Sequence, residues 1–240
     1  MNKLFSRLIL YRLFSRHAEE QPGATPKTAK PAKKINVDWI SMFLLALLLF
    51  VVASRYLTMD PDVYFPEQRE VYAANPVFLL MHIVGSMLAI LIGPFQFLPR
   101  IRTGRLLNLH RWLGRVYLLG VLIGGVGGLY MAQLAYGGIV TRLGFTSLAV
   151  FWLVSGFMAY KSIRNKEIET HRKWMTINYS LTFAGVTLRL WQVMFGISGL
   201  DFLTGYLIVA WLCWVPNLLF SLWKINQNGS TRQSSADLVN

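Results

Sequence analysis

Apolar positions along this chain run in long unbroken blocks rather than alternating with polar ones. The blocks cover roughly 39–59, 76–98, 112–136, 142–160, 173–196 and 202–223. A helix needs about 20 mostly apolar residues to cross a hydrocarbon core of about 30 Å, so each block can span a bilayer. Their centres lack the two-residue alternation of a barrel strand. The pattern therefore predicts an all-α fold: a polytopic membrane helical bundle of about six transmembrane helices. It divides the chain into an arm and linker at 1–38, a transmembrane domain at 39–223 and a polar tail at 224–240.

Composition narrows the class further. Apolar residues make up 54% of the 240 and charged residues only 15%, whereas soluble domains carry about 25% charge. A globule of this composition could not cover its exterior, which excludes soluble enzyme folds. Lys and Arg outnumber acids 24 to 11, for a net charge of +13. They are scattered between apolar blocks instead of forming one face, so nucleic acid is not the expected partner.

Their placement instead sets an orientation. Twenty of the 24 basic residues lie at 1–38, 100–115, 161–173 or in the tail, which six crossings place on one side. Only Arg55, Arg69 and Arg142 flank the other side, whose first loop carries Asp60, Asp62, Glu67 and Glu70. Positive flanks are retained in the cytoplasm. Both termini are expected there, and the protein in the inner (cytoplasmic) membrane.

The first 38 residues repeat Leu-Phe-Ser-Arg at 4–7 and 13–16 and continue into the basic linker Pro22 to Lys34. Such an acid-free amphipathic stretch suits anionic lipid headgroups. A mitochondrial transit peptide is the alternative, while Arg7 and Arg12 interrupt the apolar run that a secretory signal would need. The single cysteine, Cys213, excludes a disulfide framework, and no metal site is expected.

Gly85, Ala89 and Gly93 recur at four-residue spacing in the second block, as do Gly120, Gly124, Gly128 and Ala132 in the third. Small-residue stripes let helices approach closely in lipid; the alternative is a flat cofactor or acyl chain lying in the groove. Pro94 and Pro216 mark kinks that neighbouring helices must satisfy.

Four histidines remain. His17 lies in the arm. His110 and His171 open the third and fifth blocks in the related strings HRWLGRVY and HRKWMTINY, which suggests a weak internal repeat of two hairpins. If the two face one another, they suit the axial ligation of a b-type haem, with Arg111, Arg115 and Arg172 placed for its propionates. The alternative is a pair of interfacial His-Arg anchors.

His82 and Arg189 lie within the blocks, each six residues from the expected outer end, hence about 9 Å deep. An arginine at that depth normally faces a partner or a wet cavity. No carboxylate lies inside the blocks, which leaves Asp201, a bound anion or quinone oxygens, with Gln192 three residues on to share the helix face. The alternative is an arginine that snorkels to phosphate.

The strings HIVGSMLAILIGPFQF at 82–97, HRWLGRVY at 110–117 and HRKWMTINYSLTFAGVTLRLWQ at 171–192 resemble the bacterial membrane-protein family catalogued as domain of unknown function 2306, over about residues 76–223. The resemblance carries over onto His82, Gly93, Pro94, Phe95, Gln96, His110, Arg111, Gly114, Arg115, His171, Arg172 and Arg189. At the position where that pattern often has a second arginine, this chain has Ile177. The family implies a topology and no reaction.

Motifs for nucleotide binding, serine or cysteine nucleophiles and metallohydrolase chemistry are absent. Whether the protein is an enzyme is left open. The leading expectation is a membrane redox or accessory protein binding haem b or a quinone-like cofactor. The alternatives are a transporter or lipid-binding protein that handles an anionic amphiphile through Arg189, and a structural subunit without a ligand.

Overall fold

The computed structural model describes residues 37–237, with side chains to residue 227. The arm up to residue 36, with His17, lies outside the described residues. The helices are α1 Val37–Ser54, the short α2 Arg69–Ala74, α3 Pro76–Gln96, α4 Leu107–Gln133, α5 Ile139–Arg164, α6 Ile168–Thr182, α7 Ala184–Ser198, α8 Phe202–Leu212 and α9 Val215–Asp237. No strand occurs among the described residues.

Six segments are long and apolar enough to cross a membrane: Val37–Thr58, Pro76–Gln96, Gly104–Gln133, Ile139–Arg164, Ile168–Ser198 and Phe202–Gln227. The count agrees with the sequence pattern, and the chain is a multi-pass membrane protein. One end of the bundle carries the loop 59–75 and the turns at 134–138 and 199–201; its Asp60, Asp62, Glu67 and Glu70 make it the acidic end. The connections at 97–106 and 165–167 form the basic end.

The fifth and sixth segments are each broken. Pro216 has no N–H for the carbonyl of Leu212, and the helix breaks just before it, between α8 and α9. The Asn217 amide donates to the carbonyls of Cys213 (3.1 Å) and Ser180 (3.3 Å), and the Thr187 hydroxyl also donates to Cys213 O. Polar side chains of neighbouring turns thus serve backbone that lipid could not. The α6–α7 break at Phe183 has no proline to announce it. The expected tail continues α9 as helix to Asp237, since one interior glycine, Gly229, costs only about 1 kcal/mol.

The exterior is apolar, as lipid requires: Phe157 is 63% and Ile197 83% exposed. The interior is small and polar. At the α3–α4 contact a Cβ on Gly85 would stand 2.6 Å from the Gly120 carbonyl oxygen, and one on Gly127 2.6 Å from the His82 amide nitrogen. Two backbones touch where side chains would otherwise separate them. Gly85, Gly120 and Gly124 are thus filled by the opposing backbone, whereas Gly128 and Ala132 line the cavity described below.

Pro94 acts similarly. The Ile90 carbonyl that it cannot serve accepts a long 3.5 Å bond from the Tyr179 hydroxyl, whose ring lies flat on Gly93. The Pro94 carbonyl in turn accepts from the Trp39 indole at 2.8 Å and ties α1 to the bundle.

The core is fastened by hydrogen bonds. Tyr117 Oη donates to Asn178 Oδ1 (2.6 Å), Asn178 Nδ2 donates to the Trp152 carbonyl and to Ser155 Oγ (both 2.8 Å), and Trp152 Nε1 donates to Thr182 Oγ1 (2.8 Å). Asn178 and Tyr117 are fully buried. Every polar group of this α4–α5–α6 junction finds a partner, the condition under which a buried polar network stabilises.

Candidate functional site

Between the spans, towards the acidic end, lies a cavity of about 260 Å³. The loop 59–75 roofs it with Phe65, Gln68 and Tyr72, Trp152 and Thr182 reach it from deeper in the bundle, and His82, Arg189 and Gln192 stand on its wall. His82 and Arg189, which sequence placed at one depth, and Gln192, expected on Arg189's face, thus line one space, reached from α3 on one side and α7 on the other.

The wall's polarity is lopsided. No Asp or Glu lines the cavity. The Arg189 guanidinium donates to Gln192 Oε1 at 2.8 Å, which leaves the Gln192 NH₂ to donate. His82, Tyr72 and Tyr206 line the same cavity as Arg189. Asp201, the acid expected as its alternative partner, is exposed and accepts the Thr204 amide at 3.0 Å as the N-cap of α8. Hydrogen bonding from the Thr204 hydroxyl, and then from its amide, holds the carboxyl below the usual carboxylate range. Among the described residues the ion pairs are Arg69–Asp62 and Arg172–Glu169, and neither involves Arg189.

His82 is held in one orientation. A carbonyl only accepts, so the 2.9 Å contact between His82 Nδ1 and Gly124 O makes Nδ1 the donor, and Nε2 of the neutral ring is left as an acceptor. Gly128 makes the space, since a Cβ there would be 2.7 Å from the imidazole nitrogen. The roof adds two groups that sequence did not single out. Burial pushes the Tyr72 hydroxyl well above the ordinary tyrosine range, so it stays protonated. Gln68, 3% exposed, donates to Leu134 O at 3.1 Å while its Oε1 is buried without a partner.

The basic end holds the other expected set. His110 and His171 lie close enough for their charges to interact. His171 Nδ1 donates to Ala159 O at 2.9 Å. The arginines disperse: Arg172 donates to Glu169 at 2.7 Å, and Arg115 sits 5.3 Å from the Trp112 ring centre. Arg115 also lines a separate groove of about 380 Å³ on the outside of α4 and α5, walled by Leu119, Leu122 and Phe157. Arg111 is exposed. Neither cavity is lined by His110 or His171. The pair thus offers two imidazoles at one end of the bundle, with Arg172 paired to Glu169 and Arg115 turned to the outer groove. Among the described residues no group of three His, Cys, Asp or Glu could hold a metal ion.

Compared with known families, residues 79–224 match the one described as "Predicted membrane protein (DUF2306)". No curated protein and no solved structure matches the chain.

Proposed function

We propose that this chain, which belongs to the DUF2306 family of membrane proteins, binds an acceptor-rich amphiphile, quinone-like or anionic, in the cavity at its acidic end. The observation that carries this reading is Arg189, a cation on a cavity wall that offers donors and no carboxylate. A guanidinium among helices needs acceptors, and where the protein supplies only an amide oxygen a ligand's carbonyl or carboxylate supplies the rest. Gln192 and Tyr72 add donors, His82 Nε2 and Gln68 Oε1 accept, and the apolar walls take a ring or chain. With the basic end in the cytoplasm, as the positive flanks favour, the cavity belongs to the outer half of the inner membrane.

The test is a titration of purified protein in mild detergent with a short-chain ubiquinone analogue. Trp152 on the cavity wall reports binding by fluorescence quenching, and a long-chain fatty acid is the competitor. Saturable quenching is expected, with Arg189→Gln weakening it about tenfold or more, since a hydrogen bond to a charged group contributes about 1.5–3 kcal/mol. If neither probe binds saturably, or the variant binds as tightly, the chain acts without this ligand and the structural-subunit reading replaces it.

A further inference from the structure

Independently of the acidic-end cavity, we propose that the basic end holds a phosphate group, of a lipid headgroup or of free phosphate, between Gln96, Arg102 and His110. The connection from α3 to α4 brings these three together. Gln96 ends α3, 6% exposed, and its Nε2 is buried without a hydrogen-bond partner. Its Oε1 lies against Gly114, where a Cβ would stand 3.3 Å away. Gly114 is one helical turn from His110 on the same face of α4, and His110 Nδ1 is likewise buried and unpartnered.

Arg102 closes the group. Its Nη2 reaches the carbonyl of Phe97, the residue after Gln96, at only 3.5 Å, and its charge acts on His110. The first turn of α4 beside them has no side-chain cap, so its amide N–H groups add to the positive potential there.

This set consists of donors in want of an acceptor. Buried polar atoms are nearly always paired, and an orphan costs about 1–3 kcal/mol. Here two orphans and an arginine share one corner. The acid nearest in sequence to the second His-Arg motif, Glu169, pairs with Arg172, and neither of the described ion pairs includes Arg102. Burial and the nearby Arg172 charge also hold the Arg102 guanidinium below its ordinary range, the mark of a cation lacking a counter-charge. A tetrahedral phosphate offers several acceptor oxygens, matches a guanidinium fork, and occurs at this depth in every phospholipid headgroup.

The experiment follows thermal unfolding of the full chain in neutral detergent. One arm titrates inorganic phosphate against chloride at constant ionic strength; the other adds phosphatidylglycerol against phosphatidylcholine. A saturable rise of the unfolding midpoint in either arm is expected, and the arm that responds identifies the source. Arg102→Gln should raise the half-saturating concentration about tenfold, the loss of one charge-assisted contact. Arg100→Gln, an exposed neighbour, should leave it unchanged.

No rise in either arm overturns the proposal, as does an equal loss in Arg100→Gln, which would mean diffuse charge attraction. A Soret band lost in His110→Ala would also overturn it and give the corner to haem. Failure here leaves the quinone titration untouched, because the two sites share no residue.

Discussion

Gly85→Leu should leave almost no folded protein. The Cβ alone would come within 2.6 Å of both the Gly120 carbonyl oxygen and the Gly124 Cα, and these are backbone atoms that cannot rotate away. The remedy is to part α3 from α4. That would undo the Gly120 and Gly124 contacts and pull the Gly124 carbonyl from His82 Nδ1, now 2.9 Å away.

Overpacking a tight core costs about 1–3 kcal/mol for a small excess, and a leucine between two touching backbones exceeds that. The matched control is Gly196→Ala in α7, where an added Cβ meets nothing within 4 Å. It should fold as well as the parent or better, since alanine is favoured over helical glycine by about 1 kcal/mol. The yield of monodisperse protein in size-exclusion chromatography reads both.

Asn178→Leu should destabilise the bundle by about 2–4 kcal/mol. The leucine is similar in size, so the loss is polar: the Tyr117 hydroxyl loses its 2.6 Å acceptor, and the Trp152 carbonyl and Ser155 hydroxyl lose the amide that served both. Hydrogen bonds between membrane helices contribute about 0.6–1.7 kcal/mol each, and stranded partners add their own cost. Tyr117→Phe alone should cost less, because its hydroxyl leaves with it. The double variant should then cost less than the sum of the singles, the sign of a shared network. Denaturant unfolding in mixed micelles measures all three; additive effects would mean that the Tyr117–Asn178 bond contributes little.

The spans were legible because lipid imposes a run of apolar residues that chain composition cannot disguise. Pro216 announced its break for a covalent reason, whereas the break at Phe183 lies in an apolar stretch without proline. The Tyr117–Trp152–Asn178–Thr182 network joins residues up to 65 apart in the chain, so no local spacing points to it. Depth arithmetic sufficed to put His82 and Arg189 at one level, and the three-residue step along a helix face added Gln192. Gln68 and Tyr72 were missed because the loop 59–75 reads as an acidic connector, and only folding turns it into a roof. Sequence adjacency does not say which side of a helix a residue takes, and Arg115 lines the outer groove of α4 and α5. Three positions along, Leu118 shares Arg115's lipid-facing groove, while Tyr117 and Gly114 face inward.

The most direct test of the account is to locate a bound ligand. A photoreactive ubiquinone analogue, activated on protein in native-like nanodiscs and mapped by peptide mass spectrometry, should label α3 near His82 and α7 near Arg189, and excess unlabelled quinone should suppress the labelling. Competed labelling confined to the His110 and His171 segments, or labelling only of the outer face of α4 and α5 that competitor does not suppress, would contradict it.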